Sequence, residues 1–144
     1  MKKISVLLLF TLLNAVTFGQ TVDETERKPH QQQDIPLNVS LAELIANPGK
    51  YDGKKIQVTG YLHLEFEGDA IYLRKEDYQK HITKNGFWVN FSPKLTRRIK
   101  PAHYSDNYVT IIGTFNASKK GHMSMFSGTF DKIVKLDMRS VAPL

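Results

Sequence analysis

The sequence predicts a mainly β domain: a small closed barrel of five strands, a short helix before it and one further short helix after the second strand. Three observations lead there. Apolar and polar residues alternate with period two along several segments, most clearly from Ile56 to Phe66. Gly60 and Gly113 fall inside two of these segments, where a curling strand needs a bend or a bulge. Strands of this kind expose edges that pair with neighbouring molecules unless the sheet closes on itself.

The chain opens with Met1-Lys2-Lys3 and an apolar run from Ile4 to Leu13, the basic start and short apolar core of an export signal. Asn14, Thr17, Gly19 and Gln20 interrupt the run before the roughly 20 apolar residues that a spanning helix needs. Residues 1–19 are therefore expected to be a signal peptide cut after Gly19, giving a periplasmic or secreted protein with no membrane span; a retained N-terminal anchor is the alternative. Residues 20–37 carry charges, three consecutive glutamines and two prolines without apolar periodicity, and read as a polar arm. The domain is expected over 38–144. The chain has no cysteine, so neither a disulfide nor a lipid on a Cys is available, and the hydrophobic core must suffice.

The elements follow in order. Ser40-Leu41-Ala42-Glu43 is a capping-box sequence with Val39 and Leu44 at the staple positions, and Pro48-Gly49 is expected to end this helix of about two turns. Lys50 to Lys54 reads as a turn. In the first strand Ile56, Val58, Gly60, Leu62, Leu64 and Phe66 share one face. Glu67-Gly68-Asp69 suggests a tight hairpin. Ala70 to Arg74 forms the second strand, Lys75 to His81 a helical turn or two, Asn85-Gly86 a turn and Phe87 to Phe91 the third strand. Residues 92–106, with two prolines, read as an irregular connection. Tyr108 to Phe115 forms the fourth strand. The fifth runs from near His122 towards Leu136, and a bulge at Asp131-Lys132 reconciles Phe130, Ile133, Val134 and Leu136, which fit no single alternation.

The stretch VSLAELIANPGKYDGKKIQVTGYL, with Tyr108 to Gly113 and Ser127-Gly128-Thr129-Phe130, resembles exported bacterial OB-fold proteins of the tRNA-anticodon-binding-like type, over roughly residues 39–138. The resemblance implies an OB-like closed barrel. It rests on structural glycines and apolar positions, and the connection 92–106 departs from it by lacking the helix usual between the third and fourth strands. The nucleic-acid role familiar in such folds is not carried over, and export argues against it.

The whole chain carries 20 basic and 14 acidic residues, net +6. The arm is slightly acidic and the domain basic, which favours anionic partners or simply solubilises the surface. Neither His nor carboxylate spacing forms a metal or catalytic motif, so no cofactor, metal or enzymatic activity is expected. Two binding candidates remain. Alternation turns Tyr61, His63, Tyr72, Arg74, Trp88 and Asn90 outward on the first three strands, as one aromatic and polar face suited to stacking on ring-shaped ligands. Cover by the N-terminal helix, the arm or the 92–106 loop is the alternative for that face. Lys94, Arg97, Arg98 and Lys100 form a cluster that would suit an anion, or solvate a loop; Lys119-Lys120-Gly121-His122 is a weaker version. The expected function is a non-catalytic exported binding module that uses the outer face of the first three strands; the sequence does not identify its ligand, and an anionic ligand or a glycan is among the candidates. An accessory role, docking on an envelope protein through the same face, and an enzyme with an unrecognised site are the alternatives.

Overall fold

The computed structural model describes residues 35–139. The signal peptide expected over 1–19 and most of the arm expected over 20–37 lie outside the described residues.

Six strands build one sheet: β1 (Leu37–Asn38), β2 (Lys55–His63), β3 (Ala70–Tyr72), β4 (Gly86–Phe91), β5 (Asn107–Asn116) and β6 (Thr129–Met138). The order is β1-β2-β3-β4-β6-β5, and β2 also pairs with β5, which closes β2 to β6 into a five-stranded OB-like barrel. The closing seam is the regular antiparallel ladder from Lys55↔Thr114 to Leu62↔Asn107, whereas β4 and β6 run parallel. The barrel interior holds Ile56, Val58, Leu62, Ile71, Phe87, Val89, Val109, Ile111, Phe115, Phe130, Ile133 and Leu136. Alternation on β2, β4 and β5 had assigned most of these inward positions. Leu37 already pairs with Ile56, so the ladder reaches one residue into the arm as drawn from the sequence.

Four short helices decorate the barrel: α1 (Leu41–Ala46), α2 (Pro48–Tyr51), α3 (Lys75–Gln79) and α4 (Pro93–Thr96). Helix α1 starts as expected, with the Glu43 N–H donating to Ser40 Oγ, and it sends Leu41 and Leu44 into the core. The reciprocal half of the capping box is absent. The Glu43 carboxylate instead accepts from Tyr51 Oη and Asn47 Nδ2, because Pro48 does not end the helical path but starts α2, which brings Tyr51 back over Glu43.

Three further expectations are corrected. Strand β2 ends at His63, and Phe66 is 93% exposed in the following loop rather than inward. The connection 92–106 is partly helical, since Ser92 accepts from the Leu95 N–H and Pro93 fits the first turn. That helix places Leu95 in the core, and Pro101–Tyr104 adds a 3₁₀ turn. Strand β6 begins at Thr129, seven residues later than expected, because His122–Ser124 forms a 3₁₀ turn.

The bulge in β6 lies where the spacing placed it. Lys132 adopts φ 52°, and the register against β5 slips between Ile112↔Lys135 and Thr114↔Asp131. Phe130, Ile133 and Leu136 thereby all turn inward and Val134 turns out. Gly113 makes room, since a Cβ there would lie 3.1 Å from Ile133 Cγ1. The slip also leaves the side chain of Asp131 facing outward beside β4.

Candidate functional site

The outer face of β2, β3 and β4 is not one open patch. Tyr61 and Tyr72 point away from the barrel core as alternation requires, yet they are only 3% and 4% exposed. The cover differs from the candidates named from sequence. Tyr78 of α3 lies over Tyr61, His63 and Tyr72, and Phe126 of the β5–β6 loop packs edge-on against Tyr72 and Trp88. Ala70, Tyr72 and Phe126 are buried as a second, outer apolar cluster against which Tyr78 and Trp88 pack.

At one side of this cover His63 is held at both ring nitrogens. Its Nδ1 lies 2.7 Å from Asp106 Oδ1 and its Nε2 lies 2.9 Å from Tyr78 Oη, while the two rings stack at 3.9 Å. An ionised Asp106 accepts only, so Nδ1 donates to it, while Nε2 is hydrogen-bonded to the Tyr78 hydroxyl. Tyr61 Oη also donates to Asp106, which sits at φ 62° with its N–H donating to Leu62 O. The hydrogen bond from His63, helped by that from Tyr61, holds the Asp106 carboxyl below its usual range against the opposing effect of burial. Tyr108, edge-on to Tyr61, accepts from the Lys75 N–H and ties α3 to β5. This network locks the α3 segment onto the barrel and leaves neither His63 nor Tyr61 free to receive a ligand. Arg74 projects into solvent from the same side, 3.6 Å from Asp77, a buried carboxylate that also accepts from Asn85 Nδ2.

The locked tyrosines carry a pH consequence. Burial first, and then the Asp106 carboxylate, push the Tyr61 phenol up to about 12 from an ordinary 10, and burial does the same for Tyr72. Folding therefore favours the protonated phenols. Their stabilisation is intact below pH 10 and is lost as pH rises towards about 12. Alkaline titration followed by tyrosinate absorbance and circular dichroism should show two late phenols ionising together with unfolding. Tyr61→Phe and Tyr72→Phe should each remove one of them; ionisation of every tyrosine near pH 10 would contradict the burial.

The remaining two face residues lie on the opposite side. Trp88 is half-buried, and its Nε1–H donates to Asn90 Oδ1 at 3.1 Å. Asn90 Nδ2 donates to Asp131 Oδ1 at 2.9 Å, and Lys119 Nζ donates to Asp131 Oδ2 at 3.0 Å. Burial raises the Asp131 pKa, but Asn90 and Lys119 together outweigh it and hold the carboxyl below the ordinary value. The result is a ledge across β4 and β6: an indole beside an amide, a carboxylate and an ammonium, each fixed by its neighbour, with the three polar groups retaining free hydrogen-bonding capacity. Asp131 and Lys119 were missing from the sequence-derived site. The Asp131-Lys132 bulge and the Lys119-Lys120 cluster were the available signals, but pairing of β4 with β6 is what joins them.

Lys94, Arg97, Arg98 and Lys100 are all exposed, and none forms a salt bridge among the described residues. Of the four, Arg98 lines a groove beside β6. Among the described residues no group of three or more His, Asp or Glu is placed to hold a metal ion, and no helix is long and apolar enough to cross a membrane. No protein-family model matches the chain, and no curated protein is similar to it in sequence.

Proposed function

We propose that the protein is an exported, non-catalytic binding module that takes a glycan on the ledge formed by Trp88, Asn90, Asp131 and Lys119. The observation that carries this reading is the chain of hydrogen bonds from the half-exposed indole through Asn90 to the Asp131–Lys119 pair. A pyranose ring presents an apolar C–H face that packs on an aromatic ring and hydroxyls that both donate and accept. The ledge offers the matching set: an aromatic surface with amide, carboxylate and ammonium groups already oriented by one another, so little side-chain order is lost on binding. The same groups are poorly suited to a purely apolar ligand, which would strand the Asp131 carboxylate.

The test is calorimetric titration of a panel of soluble pyranose oligosaccharides, neutral and anionic. At least one should bind, and Asn90→Ala and Lys119→Ala should each weaken it while leaving the urea midpoint nearly unchanged, since both side chains are exposed. Trp88→Ala should weaken it by roughly tenfold or more, the size of one lost ring-stacking contact. Docking on an envelope protein is favoured by a separate observation, the fully exposed Phe66 in the β2–β3 loop and Met123 in the β5–β6 loop. If Phe66→Ser abolishes capture of a protein partner while no oligosaccharide binds, that second reading replaces the first.

A further inference from the structure

Away from the ledge, α4 and the 3₁₀ turn Pro101–Tyr104 lie against β6 and leave a groove of about 420 Å³ between them. Its volume falls within the roughly 300–1,000 Å³ of sites that hold small molecules. The groove is two-natured. Leu95, Ile99, Val134 and Leu136 supply apolar lining, and Arg98, Lys135, Asp137 and the ring of Tyr104 complete it. Val134 is half-exposed there because the β6 bulge turns it out of the barrel core, so among the described residues an apolar side chain faces water.

Charge completes the picture. Lys135 and Asp137 neutralise each other through a 2.9 Å ion pair. Arg98 has no carboxylate partner among the described residues, and Lys94, Arg97 and Lys100 flank it on the same short segment without one either. An apolar trough with the unpaired Arg98 at its edge matches a ligand with an apolar tail and an anionic head. A free phosphate or sulfate would leave the trough empty, and a neutral hydrocarbon would leave Arg98 unpaired. We infer that this groove binds a single-chain anionic amphiphile, its chain along Ile99 and Val134 and its phosphate or carboxylate head against Arg98, which offers a planar fork of donors to such a group.

Dodecyl phosphate below its micellar concentration is the probe, with inorganic phosphate and a neutral dodecyl glycoside as controls. Amide shifts in two-dimensional NMR should move at Ile99, Tyr104, Val134 and Leu136 and stay fixed at Trp88 and Asn90. Dodecyl phosphate should bind at least roughly tenfold more tightly than either control, and Arg98→Gln and Val134→Asp should each weaken it by a similar factor, the scale of one charge-assisted hydrogen bond. Both substituted positions reach solvent, so the folded spectrum should be retained. Equal binding of inorganic phosphate, insensitivity to Val134→Asp, or shifts confined to the ledge would each overturn the assignment. Because the readouts are at different residues, failure here leaves the glycan ledge standing, and failure of the ledge leaves this groove.

Discussion

Replacing Phe87 by alanine should destabilise the domain by about 3–5 kcal/mol, as buried Phe truncations do. Phe87 is fully buried at the centre of the barrel and meets Phe115 and Phe130 edge-on at ring separations of 5.8 and 5.7 Å. These three rings come from β4, β5 and β6, so no single loop movement can refill the space. Both the burial of the ring and the edge-to-face contacts are lost together. With no disulfide to limit the unfolded chain, so large a loss is a substantial part of the stability of a domain of this size. Urea unfolding measures it. The midpoint should fall sharply with the slope unchanged, and a loss below about 1 kcal/mol would mean that the barrel collapses around the gap or that Phe87 is not at its centre.

Gly60→Ala should cost about 1–3 kcal/mol, at the upper end for overpacking. A Cβ at this position would lie 2.6 Å from Leu41 Cδ1, 2.6 Å from the backbone oxygen of Tyr72 and 2.8 Å from Ile71 Cγ1. The leucine can rotate away. The carbonyl of Tyr72 cannot, because it belongs to β3, which is hydrogen-bonded on both sides. The glycine is therefore required by the close approach of β2 to both α1 and β3. Gly49→Ala is the matched control, since a Cβ there meets nothing within 4 Å. Equal urea midpoints for the two variants would contradict the packing described.

The contrast between these positions shows what was legible before the structure. Period-two alternation identified Ile56, Val58, Leu62, Phe87, Val89, Val109, Ile111 and Phe115 as inward residues, because a half-buried strand leaves that signal in any sequence. The bulge was legible for the same reason, as a failure of the alternation between Phe130 and Leu136. What alternation does not report is the length of a strand past its last ladder partner, and so Leu64 and Phe66 were carried into β2 although the pairing of β2 with β3 stops at His63. Nor does it report what covers an outward residue. Tyr61 and Tyr72 point outward but are buried, because Tyr78 of the helix after β3 and the sequence-distant Phe126, both outside the strands, fold over them. The ledge was half legible for a related reason. Trp88 and Asn90 are two residues apart on one strand, whereas Asp131 reaches Asn90 only through the parallel pairing of β4 with β6. The 92–106 segment reads as irregular because prolines interrupt helix interiors, although Ser92-Pro93 is a good helix start.

On the proposed reading, the open part of the outer face, centred on Trp88, receives a ring-bearing polar ligand. The sole tryptophan makes this directly measurable. In the free protein Trp88 should emit at an intermediate wavelength and be partly quenched by acrylamide, since its indole is half-buried against Phe126. Addition of the binding oligosaccharide should shift the emission to the blue and protect it from acrylamide, saturating at the calorimetric midpoint, with both changes lost in Asn90→Ala at the same ligand concentration. Emission and quenching that stay constant across the whole oligosaccharide panel would contradict the account.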